Sequence, residues 1–195
     1  EEVLKENAVK SLHKLPIEFT QEKLRTILMN RKSDRRIIVE ILKLGNLIID
    51  KTFINQLILF LDHNDSLILS EASNTIIVIA KSKSFENNFH DEIEKKIVQI
   101  SKKSLMLYFL KLNLMKQQKA TLLIHEIENE IETFIVCLIK LGTLKNSKIP
   151  LEKYIRYVKT KNKVFLPIIL ELIDTTFSNT SKSILLPLLD PDINI

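Results

Sequence analysis

Glycine occurs only twice in these 195 residues, cysteine once and tryptophan not at all. Each scarcity removes a class of protein. Two glycines and five prolines cannot punctuate an all-β chain, which needs frequent tight turns. Gly45 and Gly142 stand far apart, so there is no glycine-rich loop to cradle a phosphate. The single Cys137 excludes an internal disulfide and fits a reducing compartment. Its setting, Phe134-Ile-Val-Cys-Leu-Ile139, predicts a small buried hydrophobe rather than a nucleophile. No apolar run reaches the ~18 residues that a membrane-spanning helix requires. The N-terminus carries no signal-peptide pattern, and its start at Glu1 without methionine reads as a piece cut from something longer.

What is present points to helices. Hydrophobic residues make up 45% and charged residues 27%, a globular composition rich in Leu, Ile, Lys and Glu. The expected fold class is all-α. The net charge of +5 and pI of 9.2 raise the question of nucleic acid. Most of the bases are lysines spread along the chain, and arginine is scarce. Bidentate phosphate forks and stacking platforms are therefore in short supply, and solvated helix faces are the ordinary reading.

Apolar spacing sets out the helices in order. Glu2 to Lys14 reads as a first helix stopped before Pro16, and Thr20 to Asn30 as a second. Ser33 or Asp34 caps a third, with Ile37, Ile38, Ile41, Leu44 and Ile48 on one face. Thr52 to Asp62, a corner at His63 and Asn64, and Asp65 to Ala80 make the clearest pair. Lys81 to Asn88 reads as a longer connection. A long helix opens near Asp91, with Asp91 and Glu94 resembling a capping box, and runs towards Leu114 with a break around Ser101 to Ser104. Ile127, Ile131, Phe134, Leu138 and Leu141 define the next helix, with glutamates in its first half, Lys140 near its end and Gly142 as its stop. Pro150 opens a helix through Lys159, and Phe165 to Phe177 follows with Leu166, Ile169, Leu170, Ile173 and Phe177 inward. Pro167 lies in its first turn or kinks it. Ser183 to Asp192 reads as half of another pair.

The first pairs repeat. Asp34 and Asp65 stand 31 residues apart, and the same shift lays Ile27, Leu28 and Met29 on Ile58, Leu59 and Phe60. It also lays Ile37, Ile38, Glu40 and Ile41 on Ile68, Leu69, Glu71 and Ala72, and residues 47–49 on 78–80. Such pairs cannot bury their apolar faces alone, so they predict an α-solenoid of antiparallel helix pairs in one domain over 1–195, loosely divided into 1–82 and 89–195.

No constellation carries catalysis, and no cofactor or metal is expected. His125-Glu126-Ile127-Glu128-Asn129 misses the His-Glu-x-x-His zinc pattern, because Asn129 stands where the second histidine belongs. His13, His63 and His90 fall near helix ends, where capping or exposure is the default. Glu40 and Glu71 could meet across stacked helices, although salt bridges within each repeat are the ordinary alternative. No serine or cysteine has a base at recognisable spacing. The densest basic cluster is Arg31, Lys32, Arg35 and Arg36, at a corner between helices. It is a candidate contact for an anion or a partner, set against a solvated corner.

Paired helices with an aspartate at the inner corner resemble HEAT-type repeats. Ile169-Leu-Glu-Leu-Ile-Asp174 followed by Ile184-Leu-Leu-Pro-Leu-Leu-Asp190 resembles the C-terminal HEAT-like region of certain bacterial membrane proteins. Those proteins join such repeats to a transmembrane part similar to ADP/ATP carriers, and many add a cyclic-nucleotide-binding domain. Leu123 to Glu128 and Phe134 to Gly142 fit the same pattern. This chain departs from it at Thr175, where the family has asparagine, and at Gly142-Thr-Leu-Lys145, which replaces a tyrosine-containing turn. The resemblance implies a non-enzymatic, cytoplasmic interaction or regulatory module, tethered to a membrane through other parts of its protein. Its partner would be another protein or neighbouring domains of the same chain, with anionic membrane contact as an addition. A DNA-gripping, glycosylase-like HEAT groove is the alternative.

Overall fold

The computed structural model describes residues 11, 16–30, 34–45, 51–81, 89–117, 120–144, 151–160 and 166–189. Among these residues the chain is all-α: nine helices and no strand. They are α1 (Ile17–Met29), α2 (Arg35–Lys43), α3 (Lys51–Phe60), α4 (Ser66–Lys81) and α5 (His90–Lys116). Then come α6 (Thr121–Gly142), α7 (Leu151–Thr160), α8 (Leu166–Thr176) and α9 (Asn179–Leu189). The expected first helix apart from the helical Ser11, the connection at 82–88, Ile48 and the chain beyond Leu189 lie outside the described residues.

Local chemistry fixes the helix starts. Pro16 precedes α1 directly, and its carbonyl accepts from both the backbone N–H and the hydroxyl of Thr20. The helix thus begins before Thr20, since proline is well suited to a helix entrance. Asp34 caps α2 by accepting from the Arg36 N–H at 2.7 Å. Asp65 caps α4 by accepting from the N–H groups of Leu67 and Ile68 at 2.9 and 3.4 Å. The two aspartates that mark the repeat therefore do the same work.

Helix packing follows a consistent order. α1 lies on α2, and α3 on α4. α2 then packs against α4, and α4 against α6, so the second helices of successive pairs form a row. α3 touches α5, and α5 pairs with α6 as a long hairpin. Beyond it, α7 packs on α6, while α9 packs on both α8 and α5. One apolar cluster runs through the whole set, from Leu24 in α1 to Leu189 in α9. Phe53 and Phe134 are fully buried in it, each worth about 1.5–3 kcal/mol of transfer free energy.

Polar bonds reinforce each joint. Arg35 pairs with Asp65 between α2 and the start of α4. Lys96 pairs with Asp62, and Lys103 donates to the His63 carbonyl and Asn64 Oδ1 at 3.3 and 3.2 Å, tying α5 to the corner between α3 and α4. The ammonium of Lys103 also sits 5.2 Å from the Phe134 ring centroid. Lys140 donates to Asn74 Oδ1 at 2.7 Å, joining α6 to α4.

Several expectations need correction. Ile37 is 48% exposed, and Val39 and Leu42 are buried with Ile38 and Ile41 instead, because α4 covers that side of α2. The 31-residue shift holds in the second helices at Ile38, Ile41 and Leu42, which match the buried Leu69, Ala72 and Ser73. It does not hold at the exposed Ile37, matched to the buried Ile68, or at the buried Val39, matched to the half-buried Ser70. It fails for the first helices: α1 buries Leu24 and Leu28, but their equivalents Asn55 and Leu59 are exposed. α3 instead buries Ile54 and Ile58, one residue out of register. α5 has no break, since Ser104 returns its hydroxyl proton to the Ile100 carbonyl and the helix continues. Its N-cap is the buried Phe89, not Asp91, and no capping box forms.

Gly142 is not a left-handed stop. It is the last residue of α6 with ordinary φ, and a Cβ there would lie 2.7 Å from the Phe177 ring. Gly45 has a similar role beside Thr75 and Phe53. Both glycines exist for close approach.

In α8, Ile169, Leu172 and Ile173 are buried, as is Phe177 just beyond its end, with Leu166 and Leu170 half-buried and Pro167 in the first turn. Pro187 sits inside α9.

Candidate interaction face

The row of second helices carries a polar hollow. It is a cleft of about 340 Å³ with Arg35, Asp65 and Ser66 on one side and Glu126, Asn129, Glu130 and Thr133 on the other. Two helix starts, at Arg35 and Ser66, deliver their first-turn groups to it. The α6 residues reach it because their spacing of three and four places them on one helical stripe. Glu126 and Glu130 make no hydrogen bond or ion pair with any described residue, whereas Glu128, on another side, pairs with Lys111 at 2.8 Å. Two unspent carboxylates therefore stand opposite a guanidinium already held by Asp65.

Two members of the basic cluster can be placed. Arg31 and Lys32 lie outside the described residues. Arg35 is drawn to Asp65, and Arg36 is exposed with its backbone N–H on Asp34. Of the two described members, Arg35 lines the cleft and Arg36 does not. Glu40 pairs with Lys43 in its own helix at 3.1 Å, and Glu71 accepts from Asn74 in its own.

A second polar spot follows the row. Lys43, Glu71, Asn74, Thr75 and Val78 line a hollow of about 200 Å³, and Lys140 bonds Asn74 at 2.7 Å. Thr75 donates to the Leu42 carbonyl at 2.6 Å, which fixes the floor between α2 and α4. Near it Cys137 is fully buried. Burial pushes its thiol pKa up, while Lys140 and hydrogen bonds with Ser73 and Ser70 pull the other way. A thiol so placed stays protonated and is packing, not a nucleophile.

A third hollow, about 520 Å³, is walled by apolar side chains of α1, α2 and α3, including Leu28, Met29, Ile38, Leu59 and Phe60. His63 at its edge accepts from the Asp65 N–H through Nδ1, a capping role at the corner. His125 is exposed on α6, His90 opens α5, and His13 lies outside the described residues. Among the described residues no three His, Cys, Asp or Glu side chains gather as metal ligands. No described helix is long and apolar enough to cross a membrane.

Sequence reasoning took the glutamates of α6 as a dipole-compensating or solvated set. The helix begins at Thr121, so its first turn holds no acid at all. The missed signal was the stripe Glu126, Asn129, Glu130 and Thr133, polar at every three or four residues. No protein-family model, curated protein or solved structure matches the chain.

Proposed function

We propose that this chain is a HEAT-like α-solenoid and works as a non-enzymatic interaction module. In this reading it is the cytoplasmic regulatory part of a bacterial transporter-like membrane protein, and it holds a protein partner or neighbouring domains of its own chain. The observation that carries the proposal is the cleft along the second helices, lined by Glu126 and Glu130, whose carboxylates pair with no cation among the described residues. Two such carboxylates beside the Arg35–Asp65 pair fit a basic segment that also accepts and donates hydrogen bonds. The pairwise packing of α2, α4 and α6 supports the solenoid reading, because it extends one face across successive pairs.

The same carboxylates oppose the nucleic-acid alternative, since they repel a phosphate backbone where a DNA-gripping groove would attract it. A gel shift at low salt is expected to show no complex.

The decisive experiment is capture of the flanking segments of the same gene product by the wild type and by the Glu126→Lys/Glu130→Lys variant. Wild type should capture them and the variant should not, with unchanged thermal melting. Equal capture by both would refute the cleft, and a salt-sensitive DNA shift would favour the alternative.

A further inference from the structure

Full burial along the α5–α6 hairpin stops short of its tip. Every buried residue of α5 lies between Phe89 and Ser104, and every buried residue of α6 between Ile127 and Gly142. Among the described residues from Leu105 to Glu126 none is fully buried, although Leu105, Leu107, Tyr108 and Leu114 pack partly against the core from the other sides of α5. From Leu105 onward α5 continues for about 18 Å. This free end is not polar. Leu122 is 84% exposed and Met106 72%, and Phe109, Leu110, Met115 and Leu123 are exposed as well.

Helical spacing arranges part of this surface. Met106, Phe109 and Leu110 fall on one side of α5, and Lys102 and Lys116 fall on the same side at either end. Large apolar side chains concentrated in this way mark a surface that another phase covers.

Charge says which kind. Every charged residue between Glu94 and Glu126 is a lysine. Lys96, Lys103 and Lys111 are engaged with Asp62, the corner at His63 and Asn64, and Glu128. Lys102 and Lys116 are exposed and make no ion pair with any described residue. An apolar stripe bracketed by free lysines is the pattern of a helix lying in the interface of an anionic bilayer. There the acyl boundary takes up Met, Phe and Leu while headgroup phosphates meet the ammonium groups. A projecting hairpin would need a groove in a protein partner, but a lipid surface accepts it without one.

We propose that the free end of the α5–α6 hairpin docks on an anionic lipid surface. Met106, Phe109, Leu110 and Leu122 enter the interface, and Lys102 and Lys116 contact the phosphates. The α5 stripe from Lys102 to Lys116 lines no part of the cleft of α2, α4 and α6, whereas Leu122 stands one turn before Glu126. The Lys102→Gln/Lys116→Gln variant, which should lose lipid binding and keep partner capture, therefore tells the two surfaces apart.

The test is flotation of the 195-residue chain with vesicles of phosphatidylglycerol and phosphatidylcholine in equal parts, against phosphatidylcholine alone. The chain should float with the anionic vesicles only, and less so as salt is raised. One lysine near such a surface is worth about fivefold, so Lys102→Gln/Lys116→Gln should lower partitioning about twenty-five-fold. Phe109→Glu/Leu122→Glu should abolish it with the thermal melt retained. Because the chain has no tryptophan, Leu122→Trp supplies a second readout, whose emission should shift to the blue on anionic vesicles. Absent flotation, full flotation of the glutamate variant, or unshifted emission would overturn the proposal. So would a dimer in sedimentation that Leu122→Glu dissolves while vesicles bind nothing, which would assign the patch to a second copy.

Discussion

Arg35 Nη2 donates to Asp65 Oδ1 at 3.1 Å across the joint between the first two helix pairs, while the same carboxylate caps α4. One side chain thus serves a helix start and an inter-helix bond. Asp65→Ala should destabilise the fold by about 1–2 kcal/mol, mostly through the lost cap. Asp65→Asn keeps a capping oxygen and loses only the exposed ion pair, so its cost should stay below about 1 kcal/mol. Urea denaturation of the two variants separates the contributions.

Close approach at the glycines gives a second expectation. A Cβ on Gly45 would lie 2.2 Å from Thr75 Cγ2, and one on Gly142 would lie 2.7 Å from Phe177 Cζ. Either alanine substitution should cost about 1–3 kcal/mol by overpacking. Thr75→Ser removes the clashing methyl but keeps the hydroxyl that donates to Leu42, so it should recover part of the Gly45→Ala loss. Phe177→Leu should do the same for Gly142→Ala. Double-mutant cycles on denaturation midpoints measure both couplings.

Cys137 and Tyr154 predict an alkaline weakness. Burial raises both groups above their ordinary values, and Glu171 adds to the rise at Tyr154. A raised folded pKa means stability is fully present below the unfolded value and is lost as pH climbs through the folded one. Unfolding free energy should therefore fall as pH passes above the ordinary thiol range. Cys137→Ala should flatten part of that slope, and native Cys137 should react with thiol reagents only as fast as the protein opens.

Those residues also show what could be read in advance. Asp34 and Asp65 announced the second helices because a cap is a local device, written in the residues that perform it. The buried faces of the first three helices were not legible, because apolar residues fall on more than one side of each and only the partner helix decides which are covered. Ile37 illustrates this, since it is exposed beside the buried Ile38. Ser101 and Ser104 suggested a break, yet both are buried within a continuous α5. Gly142 looked like a stop, but its reason is the ring of Phe177, thirty-five residues away in the chain. The cleft itself joins α2, α4 and α6, and no local pattern records that meeting.

Photo-cross-linking in cells tests the interaction face most directly, with the reactive side chain placed at Asn129 in the cleft or at the exposed Asn55 of α3 as a control. Asn129 should form an adduct with one defined polypeptide or one segment of its own protein, lost in the Glu126→Lys/Glu130→Lys background, while Asn55 forms none. No adduct at Asn129, or the same adducts from both positions, would contradict a partner held along the second helices.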